Sequence, residues 1–61
     1  MFIFNAKYER ENKRAITKEY AIPDYFTLAE AWGYALTYFI KSTDDDEILV
    51  DIRWCRIGGE K

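Results

Sequence analysis

The sequence contains no histidine and only one cysteine, and these two shortages exclude several classes of function. A disulfide framework needs pairs of cysteines, the common zinc sites need Cys or His ligands, and imidazole-based catalysis needs histidine. Cys55 is expected to be a reduced and inert thiol. No motif points to a cofactor, a metal ion or a catalytic group, so we expect a protein that is not an enzyme.

Long apolar runs and a strong net charge are also lacking. No stretch approaches the roughly 18 apolar residues of a membrane helix, and the apolar run at the start is too short for the core of a signal peptide. Nine Lys and Arg against eleven Asp and Glu give a net charge of −2, which does not steer the molecule onto nucleic acid or anionic lipid. We therefore expect a cytoplasmic protein whose partner is neither a membrane nor a nucleic acid.

The residues that are present have the composition of a folded protein. Hydrophobic residues make up 49% of the 61 positions and aromatic residues 18%, whereas a disordered segment has fewer aromatics and more charge. A chain of this length forms one small core, and oligomerisation is a common remedy for so small a core. We expect a single domain over residues 1–57 and a flexible tail over 58–61.

Three segments alternate apolar and polar residues with the period of a β-strand. The strands are predicted at residues 2–9, 14–22 and 48–57. A hairpin turn is predicted at 10–13, where Asn12 tolerates a left-handed backbone. Pro23 cannot donate a ladder hydrogen bond, so the second strand ends before it.

The start of the helix carries the clearest local signal. Thr27 and Glu30 have the spacing of a capping box, in which each side chain bonds the backbone N–H of the other residue. The helix is predicted to run from there to about Lys41, whose charge suits the negative end of the helix dipole. A polar loop at 42–47 joins it to the last strand.

The predicted order of elements is ββαβ. A short turn pairs the first two strands antiparallel, and a right-handed crossover through the helix brings the third strand to the far side of the first. The sequence therefore predicts an α+β fold: a small two-layer sandwich with a three-stranded antiparallel sheet in the order 2-1-3 and one helix packed on one face. Trp54 alternates in phase with Ile48, Val50 and Ile52, so these four are expected in the core.

The apolar arc of the helix is about twice as wide as packing on one sheet requires. The stripe expected to contact the sheet comprises Leu28, Trp32, Ala35 and Phe39. A second ridge beside it comprises Ala29, Gly33, Leu36 and Ile40. We interpret this ridge as an interface, most simply with the same helix in a second copy of the chain. The alternatives are that the chain leaving the helix covers the ridge, or that Gly33 makes room for Trp54.

Two further groups of residues are candidates for contact with a partner. Tyr34 and Tyr38 lie one turn apart on the helix, and tyrosine is favoured at interfaces because it combines apolar area with a polar tip. The densest run of charge comprises Asp44, Asp45, Asp46 and Glu47. This run is interpreted as a solvated loop; the alternatives are a docking patch for a basic partner and a metal site, although it lacks the length and the glycine of an EF-hand.

In layout the chain resembles small accessory proteins carried by phages and other mobile elements. The likeness rests on the leading hairpin at 2–22, the Ala-Trp-x-x-Ala-Leu centre of the helix at 31–36, the acidic loop and the closing strand. Many proteins of that class bind and block one host protein, among them anti-CRISPR and other counter-defence proteins. The resemblance implies a phage-encoded protein-binding module that inhibits a host defence protein. The ridge of the helix adds the expectation that the module acts as a homodimer.

A second, local resemblance concerns the start of the helix. Residues 27–31, Thr-Leu-Ala-Glu-Ala, followed by Ala35 and Ile40, are similar to the helix of HicB-like antitoxins. That resemblance implies a small basic toxin as the partner, although the Pro-Gly turn before the helix in that family is replaced by Pro23-Asp24. A third hypothesis is an oligomer that sequesters a small ligand or nucleotide in a pocket of Tyr and Arg residues between copies.

Overall fold

The computed structural model describes residues 1–58 and has the predicted order of elements. Strand β1 spans Phe2–Arg10, strand β2 Lys13–Ile22, helix α1 Leu28–Lys41 and strand β3 Glu47–Arg56. The sheet has the order β2-β1-β3 with antiparallel pairing throughout, which confirms the predicted α+β class and topology. Of the tail predicted at 58–61, residues 59–61 lie outside the described part. Within residues 1–58, no helix has the length and hydropathy that a membrane crossing needs.

The local signals at the hairpin and at the start of the helix are confirmed. Asn12 has a φ angle of 61° and lies in the turn between the paired residues Arg10 and Lys13. At the helix, Thr27 Oγ1 accepts from the Glu30 N–H at 3.2 Å. In return, the Thr27 N–H donates to Glu30 Oε1 at 2.9 Å, so both halves of the capping box are formed.

The core lies between α1 and the inner face of β1, the central strand. The buried apolar side chains are Phe2, Phe4, Ala6, Tyr8, Ile22, Ala31, Ala35 and Phe39. Tyr8 brings the only hydroxyl of this set into the core, and it donates to the Phe39 carbonyl oxygen at 2.8 Å. The inward-facing side chains of β1 and the predicted inner stripe of the helix therefore pack together in one core.

Two expectations about the third strand were wrong. Val50 is the extra residue of a bulge in the β1–β3 ladder, and one extra residue reverses the faces of all residues beyond it. Leu49 therefore packs against the core, whereas Ile48 is 67% exposed. Ile48 and Val50 therefore lie outside the core, contrary to the prediction.

Trp54 also lies outside the predicted core, because the helix leans away from β3. Helix α1 packs on β1 and β2, and the Tyr38 ring stacks on the Tyr20 ring of β2 with centroids 4.4 Å apart. The inner side of β3 is left partly uncovered. Trp54 contacts the edge of the Phe2 ring, at 6.1 Å between centroids, and remains 43% exposed.

Candidate functional site

The exposed aliphatic side chains concentrate on the β3 side of the molecule. Leu36 and Ile40 each lie two residues from Tyr38, about 160° around the helix, so they face away from β2. Within residues 1–58, every exposed Leu, Ile or Val side chain belongs to this flank of α1, to β3 or to the residue after β3. We name this set the β3-side surface: Leu36, Ile40, Ile48, Val50, Trp54 and Ile57.

The predicted ridge of the helix forms one wall of the β3-side surface. All four ridge residues, Ala29, Gly33, Leu36 and Ile40, are exposed, and Ile40 is 64% exposed. A Cβ atom added at Gly33 would meet nothing within 4 Å. Neither Trp54 nor the chain that leaves the helix therefore accounts for the glycine. The ridge is a free apolar surface of this chain.

Tyr34 and Tyr38 lie on the opposite flank of the helix, against β2. The Tyr34 ring meets the Phe26 ring edge-on at 5.2 Å, and the Tyr38 ring stacks on Tyr20. Both tyrosines keep part of their surface exposed. They do not join the ridge, so the helix presents an aliphatic flank on one side and an aromatic flank on the other.

The acidic run divides into exposed and buried residues. Asp44, Asp45 and Asp46 are exposed. Glu47 is buried, accepts from the Asp44 N–H at 2.9 Å and pairs with the Lys18 ammonium at 3.0 Å. Glu47 is therefore bound within the fold and is not available to a partner, which corrects its prediction as a contact residue.

The contacts of Lys18 explain why this charged residue can occupy the apolar side of β2. Its ammonium group binds Glu47, donates to the carbonyl oxygen of Ser42 beyond the end of the helix, and lies 4.5 Å from the centre of the Tyr8 ring. A cation at the end of a helix also matches the negative end of the helix dipole. Lys18 and Glu47 together fasten the loop after α1 to the hairpin.

The carboxylates of the loop lie close enough to suggest a cation site, but two of the three are already paired with lysines. Oxygens of Asp44, Asp46 and Glu47 lie within 4.8 Å of one another. Asp46 pairs with Lys13 at 3.2 Å, and Glu47 pairs with Lys18. The arrangement is that of two ion pairs that close the loop onto β2.

Hydrogen bonding and charge shift the pKa values of the Lys18–Glu47 pair in opposite directions. The Asp44 N–H and the Lys18 ammonium hold the pKa of Glu47 below its ordinary 4.5. The hydrogen bond to Glu47 raises the pKa of Lys18 above its ordinary 10.5. The Glu47 contribution to stability is present above pH 4.5 and is lost as the pH falls through its folded pKa. The Lys18 contribution is lost as the pH rises through its raised pKa.

Replacing Glu47 by glutamine is expected to flatten the acid side of the stability profile. The wild type loses unfolding free energy below pH 4.5 as Glu47 takes up a proton, and glutamine has no proton to take up. The measurement is urea denaturation by circular dichroism between neutral and acidic pH. Asp45→Asn, at an exposed position of the same loop, is the matched control. Parallel wild-type and Glu47→Gln profiles would show that the pair contributes nothing to acid stability.

The open face of the sheet carries a shallow polar hollow. Its lining comprises Asn5, Lys7, Thr17, Val50, Asp51 and Arg53. Asp51 lies directly opposite Lys7 in the ladder and pairs with Arg53 at 3.0 Å. The ion pair of this face is formed along β3, between residues two apart.

Sequence reasoning missed the apolar half of the candidate site that lies on β3. It placed Ile48, Val50 and Trp54 in the core because a period-two pattern does not reveal a single extra residue. The same period-two pattern also does not reveal which two of the three strands the helix covers. For Lys18 a signal existed, since a lysine within an apolar face needs a buried acidic partner.

Comparison of this chain with family models, with curated proteins and with solved structures finds no match. The resemblances to phage accessory proteins and to HicB-like antitoxins therefore stay predictions from the sequence.

Proposed function

We propose that this protein is a small cytoplasmic protein-binding module, without catalytic chemistry of its own, that forms a homodimer and inhibits a host protein by covering part of its surface. In this proposal a phage or another mobile element encodes the chain. The observation that carries the proposal is the β3-side surface. It gathers the exposed aliphatic side chains of the described residues on one flank of α1, along both faces of β3 and at the residue after β3.

A surface of this kind supports binding better than solvation. Single exposed apolar residues are ordinary, but a contiguous apolar patch with a polar surround marks a contact surface. Leu36 and Ile40 form the apolar flank of α1, while Thr37 and Lys41 lie on its solvated side. The helix therefore offers a target protein an apolar strip with a polar border.

The exposed carboxylates of the loop supply a charged border to this surface in the proposal. Asp44 and Asp45 are exposed. Complementary charge at the rim of an interface raises the association rate and excludes wrong partners more than it adds affinity. We therefore propose that the target presents basic side chains beside an apolar contact.

The experiment that tests the proposal is affinity capture from a bacterial lysate with matched surface variants. Ile40→Lys places a charge on the apolar ridge, whereas Thr37→Lys places the same charge on the solvated face of the same helix. Lysine is a good helix former, so both variants should fold. We expect the wild type and Thr37→Lys to capture the same host protein in similar amounts. Ile40→Lys should capture at least tenfold less of it, since a buried unpaired charge is strongly unfavourable.

Equal retention by all three baits would contradict a role for the ridge. Circular dichroism of each bait confirms its fold before capture. The activity of the purified target, measured with increasing amounts of the wild type, then distinguishes inhibition from binding alone. An inhibitor must lower that activity in proportion to the fraction of target that it occupies.

The hollow on the open face favours a second candidate, an oligomer that sequesters a small ligand. Lys7 and Arg53 are the cations that would meet a phosphate there. A mass spectrum of the gently purified protein would then show a small bound ligand. If that ligand raises the melting temperature of the wild type but not that of Lys7→Ala, sequestration of a small ligand would replace protein binding as the proposed function.

A further inference from the structure

We propose that two copies of this protein join through β3, edge to edge and antiparallel, so that two sheets of three strands become one sheet of six. The inference rests on the proposed function, for which it supplies the geometry of the homodimer. It assigns the second copy to the β3 edge, and it leaves the ridge of each helix free for the target protein.

The two edges of the sheet differ in the features that prevent pairing with another chain. Strand β2 has the inward-pointing Lys18 and is followed by Pro23, and both are devices that protect an edge. Strand β3 instead exposes apolar side chains on both faces, among them Ile48, Val50 and Trp54. The inward-pointing Glu47 and the bulge at Val50 protect only the start of β3. The regular edge that follows, from Asp51 to Arg56, has no such device and is a template for the addition of a strand.

The backbone of β3 places hydrogen-bonding groups on its outer side. The Ile57 N–H donates to the Met1 carbonyl oxygen at 2.9 Å, so Ile57 directs its backbone groups toward β1. The ladder is regular from Arg56 back to Asp51, and backbone groups alternate sides along an antiparallel strand. Ile52, Trp54 and Arg56 therefore direct their N–H and C=O groups outward, where a second strand can bond them.

Charge selects one register for this pairing. The two copies are related by a two-fold axis perpendicular to the sheet. Directly opposite residues have side chains on the same face, so one residue of β3 must lie opposite its own copy, with the axis midway between the two. An axis at Ile52 places Asp51 opposite Arg53 of the second copy, and the reverse pair forms by symmetry. An axis at Arg53 sets two guanidinium groups against each other. An axis at Trp54 sets both charged residues opposite uncharged ones.

The side chains at the proposed axis are suited to the contact. The Asp51 and Arg53 side chains are 46% and 85% exposed, so both are accessible from a neighbouring strand. On the helix side of the sheet Ile52 meets its own copy. The ladder ends at the bulge of the second copy, whose Val50 faces the open side of the sheet, so Trp54 stays uncovered on the helix side. Apolar contact between the two Ile52 side chains and two ion pairs hold the short ladder together.

The position of the helices defines a groove in the six-stranded sheet. Strands lie about 4.8 Å apart and α1 packs above β1 and β2, so the two helices lie roughly 17–20 Å apart on the same face. Two helices in direct contact are only about 8–10 Å apart. The ridges with Leu36 and Ile40 therefore do not touch. They form the walls of a groove about one helix wide, with Ile52 and Trp54 on its floor.

Single-cysteine cross-linking tests the register. In a Cys55→Ser background, Ile52→Cys places two thiols directly opposite each other, at the Cα separation of about 5.5 Å that a disulfide accepts. We expect a covalent dimer on mild oxidation. Ala15→Cys, exposed on the other edge strand, is the matched control and should stay monomeric. Wild-type Cys55 should also fail to link, because in this register the two copies of Cys55 lie about 20 Å apart.

A charge swap tests the same pairing without cysteines. Asp51→Arg alone sets like charges opposite each other and should weaken dimerisation at least tenfold in analytical ultracentrifugation. Arg53→Asp alone should do the same. The double variant Asp51→Arg/Arg53→Asp restores opposite charges in this register and should recover the wild-type dissociation constant within a few-fold.

The outcomes separate this inference from the proposed function. A wild-type dimer that is linked by Trp54→Cys or Ala15→Cys rather than by Ile52→Cys overturns the β3 register but leaves the protein-binding function in place. A double variant no better than its parents also overturns the register. A wild type that stays monomeric overturns the pairing altogether, and retention of the host protein by the wild type still decides the proposed function.

Discussion

Replacing Phe39 by alanine is expected to remove about 3–5 kcal/mol of unfolding free energy. Phe39 is fully buried, and its ring meets Tyr20 of the sheet edge-on at 6.4 Å. Its carbonyl oxygen also accepts the Tyr8 hydroxyl, so a shift of the backbone at this point would leave a buried donor without its partner. A chain of 61 residues has a stability of roughly 3–9 kcal/mol, so this loss removes at least about a third of it.

Urea denaturation followed by far-ultraviolet circular dichroism measures this loss. Phe26→Ala is the matched control, because Phe26 is only half-buried and should cost markedly less. A Phe39→Ala variant within about 1 kcal/mol of the wild type would contradict a core centred on this ring, since filled core sites rarely tolerate such a truncation.

Leucine introduced at two positions of α1 is expected to change stability in opposite directions. Ala35 is fully buried against the sheet, so Ala35→Leu overpacks the core and should cost about 1–3 kcal/mol. At Gly33 an added Cβ meets nothing within 4 Å. Gly33→Leu should therefore gain about 0.8 kcal/mol from the better helix propensity of leucine.

The same pair of variants distinguishes the two ways in which a second copy can bind. Thermal and urea unfolding give the stability change, and analytical ultracentrifugation gives the dissociation constant. If two copies join at the β3 edge, Gly33→Leu should leave the dissociation constant unchanged, because the ridges are far apart in that dimer. A stabilised but monomeric Gly33→Leu protein would instead place the second copy directly on the ridge.

The features that depend on near neighbours in the chain were predictable from the sequence. The capping box at Thr27, the left-handed Asn12 in the hairpin and the alternation of β1 each depend on interactions within a few residues. The strand order 2-1-3 follows from them, because a short hairpin and one crossover helix leave few arrangements. The free ridge with Gly33 was also visible as an apolar arc too wide for one sheet.

The rest was decided only when the elements packed together. The bulge at Val50 depends on how β3 meets β1, and it moves Ile48 from the predicted core to the surface. The lean of α1 toward β2 brings Tyr38 onto Tyr20 and leaves Trp54 43% exposed. Contacts between residues far apart in sequence have no period, so an alternating pattern does not carry them.

The pair of half-buried Lys18 and buried Glu47 shows the same division. The sequence places Glu47 in a polar loop and Lys18 in the second strand, with no local sign that the two meet. Only the tertiary structure brings the two side chains to 3.0 Å, across 29 residues of chain. A charge leaves water only where a partner and hydrogen bonds replace its hydration, and the position of that partner is a property of the packed chain rather than of its local sequence.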